Sequence, residues 1–336
     1  MEPNEVRSPR VAITAPCHIQ PSEKWVKALW DEAKASGAHV IITDDSDGKI
    51  SLPWAADGGG DVYGYARQKE YLGDELYAMF EQFHHSSACK NFGMYVAWKE
   101  GYDVVIVIDS DCVVPEGFVK KHLKSLNVSG SGWTNPIPKS GWYSRGFPYS
   151  RRHWSKWAHM GLWENELDLY GTDRMKCKDV QTSDPHYGED EWPTDAQHFP
   201  FSGMNVSFIH DAIPFMLFLP NFKFKKEKFT RHDDIWGGYV FQKVAESKKK
   251  ALSFGNPIVF HDTVVIPEED AKDEEPMIAH EDEFYATIDD SLVFTGTGAE
   301  LFEATELFSW LAREFAASPV FKELSEAFSY QAKLYS

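Results

Sequence analysis

The chain has 336 residues, 43% of them hydrophobic and 15% aromatic, and its 34 Lys+Arg against 52 Asp+Glu give a formal net charge of −18. That composition excludes disorder, collagen and a disulfide-stapled miniprotein, and it supplies enough apolar material for a sizeable core. The acidic balance speaks against a nucleic-acid binder, which needs a basic face, and favours solubility and cation binding.

Cys17, Cys89, Cys112 and Cys177 stand far apart with no CxxC pair, so reduced thiols are expected rather than a zinc knuckle or a disulfide framework. The polar start, Met1 to Arg10, lacks the apolar core of a signal peptide. The longest apolar runs, Val104 to Ile108 and Ala212 to Leu219, fall far short of the roughly 20 residues a membrane span needs. A soluble cytoplasmic protein is predicted, and the sequons at Asn127 and Asn205 are read as chance matches.

Val11 to Ala15 reads as a buried strand that stops at Pro16. A helix follows, with Ser22 as N-cap, Trp25, Ala28, Leu29 and Ala33 on one face, and Gly37 as its stop. His39 to Thr43 is a second strand, and Gly58-Gly59-Gly60 sits in a mobile connection. Ser86 or Ser87 is expected to cap a helix carrying Phe92, Tyr95, Val96 and Trp98 and ending at Gly101. Val104 to Ile108, β-branched throughout, has the profile of a central parallel strand covered on both faces. This alternation predicts an α/β fold with a parallel sheet.

From Gly130 to Pro200 the pattern is irregular and rich in Trp, Tyr, Pro and Gly, as in loops that build a site. Regular structure resumes with a strand at Met204 to Phe208, a helix from Asp233 to Glu246 and a strand at Ile258 to Phe260. Beyond Pro267 an acidic stretch leads to two helices, Ala299 to Ala316 and Val320 to Leu334, whose apolar stripes are read as packing surfaces.

Open parallel sheets bind ligands at the carboxyl ends of their strands. Two acidic turns fall there, Asp44-Asp45-Ser46-Asp47 after the second strand and Asp109-Ser110-Asp111 after the strongest one. Carboxylates two apart after a buried strand can turn toward one hard cation such as Mg2+ or Mn2+. No GxxxxGK[ST] and no GxGxxG follows the first strand, which disfavours a Walker-type NTPase and a dinucleotide fold. The string Tyr143 to Arg152 sets three arginines in an aromatic loop suited to anion capture or to a plain basic surface. Gly203 before a strand allows close backbone approach to a ligand, or a tight turn. Asp233 and Asp234 open a helix, where capping accounts for one acid and contact with a polyhydroxylated substrate for the second.

In chain order, Ser87-Ala88-Cys89-Lys90-Asn91-Phe92-Gly93, Ile108-Asp109-Ser110-Asp111-Cys112, Arg145-Gly146-Phe147-Pro148-Tyr149-Ser150, Gly161-Leu162-Trp163, Gly203-Met204-Asn205, Asp233-Asp234-Ile235-Trp236 and His261 resemble the reversibly glycosylated polypeptide family, which includes the plant UDP-arabinopyranose mutases. The resemblance implies a GT-A-like nucleotide-sugar-binding α/β fold with a mostly parallel central sheet. A catalytic domain would span residues 1–265, with an acidic linker and helical C-terminal extension over 266–336 packed on it. It further implies a UDP-sugar substrate, a Mn2+ or Mg2+ cofactor, and partners limited to a second copy or a glycosyltransferase complex, at most peripheral to a membrane-bound synthesis complex.

The same resemblance assigns Asp109, Asp111 and His261 to the metal, and Pro16, Asp44, Asp45, Lys90 and Ser110 to the nucleotide. Arg152, Gly203, Asn205 and Trp236 go to the substrate. Arg145 is matched to the arginine that carries the reversibly attached sugar, with Asp233 or Asp234 taking its proton. Three departures stand out: Lys90 where an arginine is usual, Ser110 where a third Asp is usual, and His232 for a Tyr. A mutase, a transferase to an external saccharide, and a nucleotide-sugar-binding subunit remain the competing readings.

Overall fold

The computed structural model describes residues 7–46, 48–52, 54, 58–135, 142–165, 168–176, 194–195, 198–293 and 303–336. The N-terminal half runs β1 (Val11–Cys17), α1 (Glu23–Ser36), β2 (His39–Asp44), β3 (Gly60–Tyr63), α2 (Tyr65–Phe80), α3 (Lys90–Lys99), β4 (Val104–Ile108), β5 (Cys112–Val113) and α4 (Phe118–Asn127). Next come β6 (Lys156–Asn165), α5 (Gly171–Lys176), β7 (Thr194–Asp195), β8 (Asn205–Ile209), β9 (Phe222–Phe224), β10 (Glu227–Phe229), α6 (Asp233–Ser247) and β11 (Ala251–His261). Three helices close the chain: α7 (Pro267–Val293), α8 (Ala304–Ala316) and α9 (Leu324–Leu334).

The main sheet has the order β3-β2-β1-β4-β8-β6-β11-β5, with β7 also on β11, while β9 and β10 pair separately. It is parallel from β3 to β4, antiparallel through β8, and parallel again between β6 and β11. The expected α/β class is observed. The chain builds outward from β1 to β2 and β3 and then returns to the other side of β1 as β4. That reversal makes the carboxyl ends of β1 and β4 the switch point, where a crevice forms.

Side-chain alternation distributes two cores across the sheet. Ile13, Ala15, Ile106 and Ile108 join α1 and α4 on one face, while Ala12, Val105 and Val107 join the other. Met277 and Phe284 of α7, Phe308 and Phe315 of α8, and Phe328 and Tyr330 of α9 belong to that second core. The acidic stretch expected to be a linker is the start of α7, because Met277, Phe284 and Ile288 give it an apolar stripe to bury.

Several expectations hold in detail. Ser22 caps α1, its Oγ accepting from Trp25 N at 3.2 Å, and Gly37 stops the helix with φ 72°. Others shift. The first strand continues through Pro16 to Cys17, because pairing with β2 persists to Asp44 while β4 lies against β1 only as far as Thr14. Gly60 opens β3 rather than a loose connection. Neither Ser86 nor Ser87 caps α3; a 3-10 turn, Ser87–Cys89, leads into it. Helix α2 and strand β6 lie where no regular element was expected, and Ile258 to Phe260 is only the end of the longer β11.

Candidate functional site

The turn after β4 is fixed by its backbone. Asp109 N donates to Met204 O at 3.1 Å, and the Asp109 carbonyl accepts from Trp25 Nε1 at 3.0 Å and Cys112 N at 3.1 Å. Strand β5 then pairs antiparallel with β11, placing Cys112 opposite His261, while Asp262 N donates to Asp111 O at 2.8 Å. This pairing joins two segments about half the chain apart. His261 Nε2 consequently stands 3.6 Å from Asp111 Oδ2. Burial pushes the Asp111 carboxyl up, but His261 outweighs it and holds the group below the usual range.

Asp109 is held from the other side. Lys90 Nζ, 1% exposed as a residue, lies 2.7 Å from Asp109 Oδ1 and donates to Gly203 O at 3.2 Å. Burial alone would lower the Lys90 ammonium, but Asp109, Asp233 and Asp234 outweigh it and hold it above its ordinary value. Lys90, expected at the nucleotide phosphate, is in this structure the internal counter-ion of Asp109.

Gly203 links this pair to α6: its N–H donates to Asp234 Oδ2 at 2.7 Å. A Cβ at Gly203 would fall 2.4 Å from the Phe218 ring and 3.2 Å from Lys90 Nζ, so the close approach that requires glycine is to the protein's own side chains. Phe218 is pinned by Asn91, which exchanges hydrogen bonds of 2.7 and 3.0 Å with its backbone. Burial and the neighbouring Asp233 charge push Asp234 up to about 8. Asp233 accepts from Ser87 Oγ. Thus Ser87, Lys90, Asp109, Gly203, Asp233 and Asp234 form one connected polar unit.

The acidic turn after β2 serves mainly itself. Asp44 Oδ1 accepts from Ser46 N at 2.8 Å and Ser46 Oγ at 2.6 Å, and Oδ2 accepts from Gly48 N at 3.1 Å. Asp45 pairs with His18 Nδ1 at 2.8 Å and also receives Tyr65 OH and His85 N. Ser110 is half-buried and Pro16 is buried within β1. Asp47 lies outside the described residues, as does Cys177.

Two residues expected at the substrate, Trp236 and Asn205, are fully buried. Trp236 is 0% exposed, stacked 4.4 Å from Phe284 and packed against Phe229, His232 and Phe321, so it is a core residue. Asn205, also 0% exposed, donates to Leu162 O and Pro257 O and receives His122 Nε2 at 2.8 Å. Its donors go to β6 and β11, and its acceptor is taken by His122 of α4. Burial accordingly keeps His122 neutral, its pKa lowered to about 3.

Arg145 is exposed on the loop before the 3-10 turn Tyr149–Arg151 and is not brought into the carboxylate unit by any described hydrogen bond or ion pair. Arg152 donates to Phe147 O at 3.2 Å and lies over Tyr149 and Tyr143. Sequence reasoning did not mark Asp168, whose carboxyl is pushed up by burial against the lowering charges of His261, Arg231 and Arg174. No motif marks it; only the fold brings it near.

The donor set suits a hard or borderline divalent cation: carboxylates of Asp109 and Asp111, with the His261 imidazole. Asp111, Cys112 and His261 have potential ligand atoms within 4.8 Å of one another. The Cys112 thiol is held protonated by burial and the adjacent Asp111, which leaves oxygen and nitrogen as the available ligands.

Among solved structures, glucosyl-3-phosphoglycerate synthase from Mycobacterium tuberculosis in complex with Mn2+, uridine-diphosphate and phosphoglyceric acid is 12% identical, with a TM-score of 0.46 covering 82% of this chain and 78% of that chain. The same enzyme with Mn2+, uridine-diphosphate-glucose and phosphoglyceric acid is 11% identical, with a TM-score of 0.45 over 83% and 80%. No curated protein matches the chain. No helix among the described residues is long and apolar enough to cross a membrane. The family model for reversibly glycosylated polypeptide matches residues 18–334, a span that takes in the β4 turn, the arginine loop, α6 and the C-terminal helices, and the chain belongs to that family.

Proposed function

We propose that the protein is a GT-A-like enzyme that uses a UDP-sugar with a bound divalent cation, and that it works as a mutase by taking the sugar reversibly onto Arg145. The observation that carries the reading is the meeting of Asp111 and His261, 3.6 Å apart, beside the buried Lys90–Asp109 pair. Asp109, Asp111 and His261 would hold the cation, which when bound would offset the diphosphate charge and make UDP a better leaving group.

Asp45 and the turn behind it would face the nucleoside. The bond between the sugar C1 and the diphosphate oxygen breaks with its electron pair going to UDP, and a bond forms between C1 and an Arg145 nitrogen. A guanidinium has no free lone pair, so it must lose a proton as it attacks, and the Asp233–Asp234 pair is the assigned acceptor. Ring opening and reclosure on Arg145, followed by return to UDP, would change the ring size. The exposure of Arg145 favours, as a second reading, transfer to an external saccharide.

Incubation with radiolabelled UDP-sugars separates the readings. Label on the protein together with a ring-size isomer of the substrate supports the mutase. Label on an added saccharide supports the transferase, and UDP-sugar binding without either product refutes both.

A further inference from the structure

A second cluster of metal-ligating side chains, sharing no residue with the Asp109 turn, is assembled at the carboxyl ends of β1 and β2. His18 follows β1 and Asp45 follows β2, and Asp45 N donates to Cys17 O at 2.9 Å, which locks the two strand ends together. Cys89 ends the 3-10 turn that leads into α3. His18 Nδ1 lies 2.8 Å from Asp45 Oδ2. An imidazole nitrogen of His18, a carboxylate oxygen of Asp45 and the Cys89 sulfur all fall within 4.8 Å of one another.

The carboxylate is held from behind. Tyr65 OH donates to Asp45 Oδ1 at 3.1 Å and His85 N donates to Oδ2, the kind of outer contact that orients a metal-binding carboxylate. Asp45 and Cys89 are buried, whereas the His18 side chain is 38% exposed, so the third ligand can swing aside and admit an ion from solvent. Tetrahedral zinc, with bonds of about 2.0–2.3 Å, sets its ligand atoms roughly 3.3–3.8 Å apart. Opening the His18–Asp45 contact and drawing in the sulfur to that spacing takes side-chain movements of about 1 Å.

The donor set decides the cation. One sulfur, one imidazole and one carboxylate suit Zn2+, whereas Mg2+ and Mn2+ prefer oxygen. Burial and the Asp45 charge keep the Cys89 thiol protonated in the absence of metal. On binding, the S–H bond breaks, a Zn–S bond forms and the proton leaves to water, an exchange that a hard cation does not drive. Cys112 differs, because its thiol is turned to Asp111 at 3.7 Å, while the Cys89 thiol donates to no group among the described residues.

We propose that His18, Asp45 and Cys89 form a Zn2+ site, with water as the fourth ligand, that ties the ends of β1 and β2 to the turn before α3. This goes beyond the proposed function, because sugar transfer to Arg145 requires neither a thiolate nor a second cation. The probe is Co2+, a spectroscopic stand-in for Zn2+, added to the full chain carrying Asp111→Asn, which disables the other cation centre. The expected result is a thiolate-to-Co2+ charge-transfer band that saturates at one ion per chain and is displaced by equimolar Zn2+. The band should persist when Cys112→Ser is added and disappear with Cys89→Ser. His18→Ala, a change at an exposed side chain, should weaken Co2+ binding at least tenfold while the melting temperature in chelator stays near that of its parent. Zn2+ should raise the melting temperature of the parent and not of the His18→Ala variant. Absence of the band, its loss in Cys112→Ser, or Co2+ affinity unchanged by His18→Ala would overturn the proposal.

Discussion

Replacing Lys90 by methionine keeps much of the side chain's length but removes the ammonium from a position 2.7 Å from Asp109 Oδ1 and 3.2 Å from the Gly203 carbonyl. Breaking a buried pair by deleting one partner costs about 3–5 kcal/mol, because the remaining charge is stranded. Asp109 has an escape: it can take up a proton, and holding a carboxyl of pKa about 4 neutral at pH 7 costs about 4 kcal/mol. The two limits agree, so the metal-free variant should lose about 3–4 kcal/mol at neutral pH. The variant raises the folded-state pKa of Asp109 further above its unfolded value. Its relative stability is then greatest at low pH and is lost as pH rises, by up to about 1.4 kcal/mol per unit. Urea unfolding in chelator at pH 5 and pH 7 measures both effects. Added Mn2+ should recover part of the loss by supplying the missing positive charge. Wild-type stability at pH 7 in chelator, or an equal loss at both pH values, would refute the account of Lys90 as the counter-ion of Asp109.

Three further outcomes are expected. Asp111→Asn should weaken Mn2+ binding, followed by electron paramagnetic resonance, by tenfold or more while the melting temperature in chelator changes little. Asp234, pushed up to about 8, keeps its proton at neutral pH in the folded chain, so its contribution is full below the unfolded carboxyl range and is lost as pH rises through about 8. Thermal melts in chelator from pH 6 to 9 should therefore fall, and Asp234→Asn should flatten the fall. Trp236→Ala, which empties a fully buried aromatic site, should destabilise by about 3–5 kcal/mol in chemical denaturation, whereas a substrate-contact role would leave stability near wild type.

What the sequence made legible was whatever is encoded over a few neighbouring residues. Val104 to Ile108 was readable because β-branched residues on both faces leave one placement, and Ser22 and Gly37 because caps are local chemistry. Helix α2 was not, since Gly73 interrupts its periodicity with φ 77°. The acidic opening of α7 concealed an apolar stripe that matters only when Trp236 and Phe284 stack. At the site, Asp109 and Asp111 stood out from their position after a strand, whereas His261 was matched to the metal only through the family resemblance. The roles of Lys90, Asn205 and Trp236 could not be read, because each is decided by partners that only the fold brings up: Asp109 and Gly203 for Lys90, Leu162 for Asn205 and Phe284 for Trp236. Asp168 has no local signature at all.

Intact-protein mass spectrometry after incubation with UDP-pentose or UDP-hexose and Mn2+ tests the central claim most directly. The account predicts an adduct of one sugar residue on wild type, reversed by excess UDP, abolished by chelator, and absent from Arg145→Lys although that variant still binds UDP. Lysine keeps the positive charge, so a mere phosphate clamp would survive the change in part. An adduct that persists on Arg145→Lys, or none on wild type with either sugar nucleotide, would contradict it.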